Sequence, residues 1–243
     1  MDTPQRKPSS ALYVFLLTAL ISAVCFVLTA MYRYIVLLIA ALVLGFGGLL
    51  LDRHLAKKGK NLKKSMNARI IVLIMCMIPV LAVPPLTVES RFRWQYPFQK
   101  YIINRYRNIR EPDWFPEIDG DAVVSGYRFS YLPSIMQGTG HYSIAFNTTE
   151  DQMNAYIDGM NAYIDGYGQK KNAVKMLGDC RNAGADALDS DIPSLWLDPQ
   201  IRTDAPDNAF VLVLDATYSF NHPHTSAIIM DMEHKRIQFL QLG

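Results

Sequence analysis

The chain has 243 residues, half of them hydrophobic and 19% charged, with a formal net charge of +2. That near-neutrality is a cancellation: residues 1–88 carry ten Lys/Arg against two Asp/Glu, and residues 89–243 carry fourteen against twenty. The division excludes a single cytosolic globule, a disordered charged tail and a disulfide-stapled mini-domain.

Three uncharged apolar runs fill the first third: Ala11–Met31, Tyr34–Leu51 and Ile70–Val88, of 21, 18 and 19 residues, the last containing Pro79, Pro84 and Pro85. A helix of about 20 residues crosses a hydrocarbon layer roughly 30 Å thick, and helix is the conformation that satisfies backbone amides there. The runs predict three transmembrane helices in a membrane domain 1–88, joined by a basic loop, 52–69. The first run exceeds a signal-peptide core and lacks a clean cleavage pattern, so it reads as an uncleaved span. Only Tyr32 and Arg33 separate it from the second, which predicts a tight hairpin. In the second run Ala41 and Gly45 stand one turn apart, a spacing that lets another helix approach closely, with this chain's own spans the first expectation.

Arg6, Lys7 and seven cations of the 52–69 loop fall on one side of the predicted spans and Arg33 on the other. The positive-inside rule places the nine in the cytoplasm and residues 89–243 beyond the opposite leaflet. Five cations that follow the third span, Arg91 to Arg107, weigh the other way, but long domains cross largely regardless of charge. The expected location is the cytoplasmic (inner) membrane of a bacterium. The lysine-rich stretch Lys57–Lys64 has no interleaved aromatics to stack bases, so its expected contact is anionic lipid and no nucleic acid.

Residues 89–120 read as an interfacial linker. Arg91-Phe92-Arg93-Trp94-Gln95-Tyr96 alternates cations with rings, the composition of a headgroup-level anchor. A short amphipathic helix is predicted within Phe98–Ile109, and a proline-rich loop packs Trp114 and Phe115 on the domain that follows.

From 121 to 243 the pattern predicts an α+β domain: an antiparallel sheet of about five strands packed with one main helix. Val123–Leu132 places Tyr127, Phe129 and Tyr131 on one face and Arg128 and Ser130 on the other; Tyr142, Ile144 and Phe146 repeat the pattern. Met153–Gly159 is duplicated at once as Met160–Gly166. Seven residues advance a helix by nearly two whole turns, whereas an odd insertion would reverse a strand, so the duplication predicts helix. Thr149 with Gln152 marks its start. Gln169–Leu177 is expected to extend this helix or form another. The stretches 210–220, 225–232 and 236–242 predict a closing three-stranded meander.

Chemical motifs are sparse. No phosphate loop, nucleophile elbow, metalloprotease or dinucleotide fingerprint occurs. Cys180 has no second cysteine in its domain, and no catalytic residue or cofactor is predicted. The sharpest metal-like feature is His222-Pro223-His224, a turn pair with imidazoles two apart, which would need a third ligand; His141 is the candidate and His234 lies too far away. Asp215 interrupts an apolar strand on the face of Val211 and Val213. The sequence therefore predicts a non-catalytic, membrane-tethered module that binds a protein partner, forms a homo-oligomer or serves an envelope complex. Alternatives are an extracytoplasmic ligand or metal sensor, an immunity-type protein, and a hydrolase around Asp215 or His141.

Overall fold

In this computed structural model the described residues are 10–59, 62–106, 110–118, 121–134, 139–167, 173–178, 196–207, 209–219 and 222–243, with backbone only for 10–11, 160–167, 173–175, 213–219 and 222–223. The chain divides into two compact units, Met1–Pro85 and Leu86–Gly243.

The first unit holds three helices long and apolar enough to cross a membrane. Helix α1 (Ser10–Thr29) turns through Ala30, whose φ of 55° ends it, into α2 (Arg33–Leu42). A π-helical turn, Val43–Gly47, joins α2 to α3 (Gly48–Lys57), making one span of 25 residues. Helix α4 (Leu62–Ala82) is the third. It begins eight residues before the predicted 70 and stops at Ala82 rather than 88. Pro84 and Pro85 end it, because a proline disfavours helical backbone in the residue before it.

Phe15, Ala19, Leu37, Ala41, Leu73 and Val80 form the buried core of this unit. The small residues of the second span are used within the chain. A Cβ on Gly45 would stand 3.0 Å from the Phe15 Cβ, and one on Gly48 would overlap the Arg69 guanidinium. Arg69 donates to both Asp52 carboxylate oxygens at 2.8 Å and to the Leu44 carbonyl at 3.4 Å, inside the π turn. A wide turn exposes carbonyls that a regular α-helix would use itself. Arg33 donates to the Val83 carbonyl at 2.9 Å, closing the frayed end of α4.

The second unit is a fully antiparallel sheet with helices. Its strands are β1 (Val88–Ser90), β2 (Ser125–Leu132), β3 (His141–Asn147), β4 (Ala173–Met176), β5 (Phe210–Ser219), β6 (His222–Asp231) and β7 (Arg236–Leu242), in the order β1-β2-β3-β7-β6-β5-β4. The expected five strands become six of four to ten residues plus the three-residue β1. Both extra strands occupy edges: β1 falls where the sequence predicts the last residue of the third span and the start of the linker, and β4 where it predicts helix. Their short segments carry no periodicity of their own and are recruited by pairing with β2 and β5. The meander β5–β6–β7 forms as the sequence predicts.

Helix α6 (Glu150–Tyr167) contains both copies of the heptad. Thr149 Oγ1 caps it by accepting from the Gln152 N–H at 3.2 Å, and Met153 is fully buried. One sheet face is aromatic. Phe129, Tyr142, Phe146 and Phe239 pack there under Trp114, Phe115 and Tyr156, with ring centroids 5–6.5 Å apart and mostly edge-to-face. Helix α5 (Tyr96–Ile103), after a 3₁₀ turn at Arg93–Gln95, adds Tyr96 to this face. Tyr142 donates to Tyr96, which donates to Glu111, itself paired with Lys100. Burial pushes both phenols far above their usual range, so they stay neutral.

Candidate ligand-binding cleft

The opposite sheet face is divided. Over β5, β6 and β7 it is apolar, with Val211, Ala227, Ile229, Leu240 and Leu242 packed under Leu197, Ile201 and Ala205. Over β1, β2, β3 and β7 it is polar. Cross-strand register sets Glu89 opposite Ser130, Ser130 opposite Ser143, and Arg128 and Gln238 on either side of Ala145. Register partners share a face, so these side chains form one polar floor with His141.

A single segment roofs both halves. Residues 196–198 lead into α7 (Pro199–Asp204), whose N-terminus Asp198 caps by accepting from the Gln200 N–H at 3.1 Å. Two buried β7 side chains hold the segment down. Gln238 donates to the Trp196 carbonyl at 2.9 Å and to Ser143 Oγ at 2.8 Å, and accepts from the Asp198 N–H at 2.8 Å. Arg236 Nε donates to Asp198 Oδ1 at 2.7 Å, while its Nη1 reaches the Gly126 carbonyl and Asn147 Oδ1. Because Leu197 and Ile201 settle on the apolar half, Trp196, Asp198, Pro199 and Arg202 are left overlooking the polar half. Between roof and floor lies a cleft of about 280 Å³, near the lower end of small-molecule sites.

Ser130 and His141 form its chemical centre. Ser130 Oγ is 2.7 Å from His141 Nε2, and the Trp196 ring lies 4.9 Å from the imidazole. Burial, and then the charge of Arg128, push the His141 pKa down to about 4, so the ring is neutral at pH 7. His141 Nδ1 is buried without a hydrogen-bond partner among the described residues. An unpaired buried N–H is rarer in native structures than an under-used acceptor, which assigns the proton to Nε2. His141 then donates to Ser130, and the serine proton points elsewhere. Ser143 Oγ already accepts from Gln238 and likewise has its proton to give.

This chemistry favours recognition over catalysis. A serine nucleophile needs an imidazole acceptor held in place by a third group. Here Asp198 is held by Arg236, and Glu89 pairs with Arg128 at 3.4 Å on the rim. The cleft is lined by two hydroxyls with protons to give, by the Arg202 guanidinium and by that of Arg128, which a ligand would share with Glu89, a lining suited to a small, acceptor-rich anion.

Of the candidate metal or catalytic residues whose side chains are described, His141 lies in the cleft. His222 and His224 stand within β6, opposite Ser219 and Thr217, rather than in a turn. The described residues hold no group of three potential metal ligands, and the His222 side chain lies outside them. By register His224 shares the face of Ser226 and Gln241, whereas His141 is on the cleft face, so the two imidazoles are on opposite sides of the sheet. His234 sits in the β6–β7 turn, bonded to Asp231 at 2.7 Å. A register shift between Val213 and Asp215 pairs Asp215 with Ser226, breaking the alternation that set it with Val211 and Val213. Its side chain and Cys180 lie outside the described residues. The strand alternation places Arg128 and Ser130 on the polar face of β2, but no local sequence signal marks the segment at 196–202 that covers it. A scan of family models, a search of curated proteins and a search of solved structures gave no match to this chain.

Proposed function

We propose that the protein is a membrane-held binding module whose sheet domain takes a small carboxylate- or phosphate-bearing ligand in the β2–β3–β7 cleft. The observation that carries the reading is a roofed polar floor that brings the Ser130 and Ser143 hydroxyls into one cleft with Arg128 and Arg202, while Asp198 is held by Arg236. The small-residue face of the second span packs on α1 and α4, which removes one motive for a protein partner and raises ligand binding above it. The three apolar helices are compatible with contact to a lipid bilayer. The basic residues flanking them support a cytoplasmic N-terminus and a domain beyond the cytoplasmic membrane of a bacterium; a reporter enzyme fused after Gly243 tests that topology.

The ligand reading is tested on the full chain in mild detergent, by following tryptophan fluorescence during titration with inorganic phosphate, acetate and dicarboxylates. Saturable change with at least one of them, lost in Arg202→Gln, supports it. No saturable change with any, or a change that Arg202→Gln leaves intact, refutes it.

The Ser130–His141 contact favours one second reading, an acyl-ester hydrolase with Ser130 as nucleophile. Ester turnover abolished by Ser130→Ala would establish it in place of pure binding.

A further inference from the structure

Helix α5 shows two opposed faces, and the solvent face is the aromatic one. Gln95, Tyr96, Gln99 and Ile103 are buried against the domain. Phe98 and Tyr101 stand three apart on one face of α5, with Trp94 in the 3₁₀ turn before the helix and Arg105 in the turn after it. Trp94 is 50% exposed, Phe98 43% and Tyr101 68%, with Phe92 beside them at 60%. A water-facing surface normally carries charge; four exposed rings in one segment do not arise from packing inside this domain.

Cations rim these rings. Arg91 and Arg105 are exposed, Arg93 is half-buried, and the Arg105 guanidinium lies 5.9 Å from the Tyr101 ring centroid. Amphipathic rings with nearby guanidiniums match the headgroup layer of a bilayer, where the rings sit in the interface and the cations meet phosphate. Phe92 follows the last residue of α4, Ala82, by ten positions, a reach of at most about 35 Å even fully extended. Rings with arginines also mark protein interfaces; what favours lipid here is that the cations are complementary to anionic headgroups and that the segment follows a predicted span within ten residues.

We propose that the exposed rings and arginines of the Phe92–Arg105 segment, centred on α5, dock on the anionic headgroup surface of the bilayer that the chain spans, as a lipid contact additional to the three helices. The contact fixes one surface of the sheet domain toward lipid. It is independent of the cleft, which uses other strands and a different face of the domain.

The test uses the full chain with Cys25, Cys76 and Cys180 replaced by alanine and one environment-sensitive fluorophore attached through Phe98→Cys. It is reconstituted in phosphatidylcholine vesicles with or without phosphatidylglycerol, each carrying a nitroxide-labelled lipid. The expected result is blue-shifted emission quenched about twofold or more by the labelled lipid, more strongly with phosphatidylglycerol, and weakened by Arg91→Gln with Arg105→Gln. A label attached through Glu233→Cys, in the exposed β6–β7 turn, serves as the water-facing reference. Emission at position 98 that matches this reference overturns the proposal. So does a blue shift that grows with protein-to-lipid ratio without lipid quenching, which would assign the segment to a second copy of the chain. As a check without an attached label, brominated lipid quenches part of the native tryptophan emission, and Trp94→Phe removes that part; quenching unchanged in Trp94→Phe contradicts the proposal.

Discussion

Acidification should weaken the sheet domain through His141 by an amount the structure sets. The unfolded imidazole protonates near its ordinary pKa of about 6.5, whereas burial and Arg128 hold the folded ring neutral down to about 4. Above pH 6.5 both states are neutral and His141 contributes nothing to the pH dependence. Between 6.5 and 4 only the unfolded chain takes up the proton, so stability falls as pH falls. Below 4 the loss is complete, at about 3 kcal/mol from the difference between the two pKa values. The groups facing the ring are Ser130 on β2, Arg128 beside it, Glu89 on β1 and the Trp196–Arg202 segment above. His234 acts in the other sense: Asp231 raises its pKa, so its contribution is present at low pH and lost as pH rises through the raised value. Comparing the native chain with His141→Gln removes that contribution and those of all carboxylates. All three tryptophans lie beyond residue 85, so their fluorescence during urea denaturation in mild detergent reports this domain alone. Between pH 7.5 and 4 the native chain should lose about 3 kcal/mol more than His141→Gln. Equal losses would mean that His141 titrates normally, and the roofed cleft would be wrong.

Other consequences can be measured in the same assay. Arg236→Met leaves Asp198 buried without its partner and should cost about 3–5 kcal/mol, with much of that loss recovered by adding Asp198→Leu; additive losses would deny the pair. Lys235 adopts a φ of 52° in the β6–β7 turn, so Lys235→Gly should stabilise the domain by about 0.5–1 kcal/mol, and destabilisation would contradict the turn geometry. In the first unit, Gly48→Ala must displace Arg69 from Asp52; the thermal midpoint should drop, by about 1–3 kcal/mol in stability, and Asp52→Asn should reproduce much of the loss. A Gly48→Ala midpoint equal to the native one would show that the guanidinium does not occupy that space.

The parts of the fold legible in the sequence are those where one periodicity ran long enough to be unambiguous. Uncharged runs marked the three helices, the heptad duplication marked α6, and Tyr-x-Phe-x-Tyr alternation separated the two faces of β2. Misread elements were short or borrowed their structure. Ala173–Met176 and Val88–Ser90 are strands because a neighbouring edge pairs with them, and β6 begins at His222 because β5 is long enough to extend it. The cleft was hidden for a related reason. Ser130, Ser143 and Gln238 look like ordinary solvent-facing positions on separate strands, and their meaning comes from Trp196–Arg202, a roof contributed by distant sequence. A visible hint lay in β7, where Arg236 and Gln238 alternate with Ile237 and Phe239 although both strand faces are covered.

Native mass spectrometry of the full chain released from mild detergent tests the binding account most directly, because it asks whether a small anion is carried at all. With added phosphate or dicarboxylate, the account predicts one ligand per chain at saturation, lost in Ser130→Ala with Arg202→Gln and retained in Lys235→Gly. A chain that stays empty across the whole series, or that holds the anion equally well in the double variant, would contradict it.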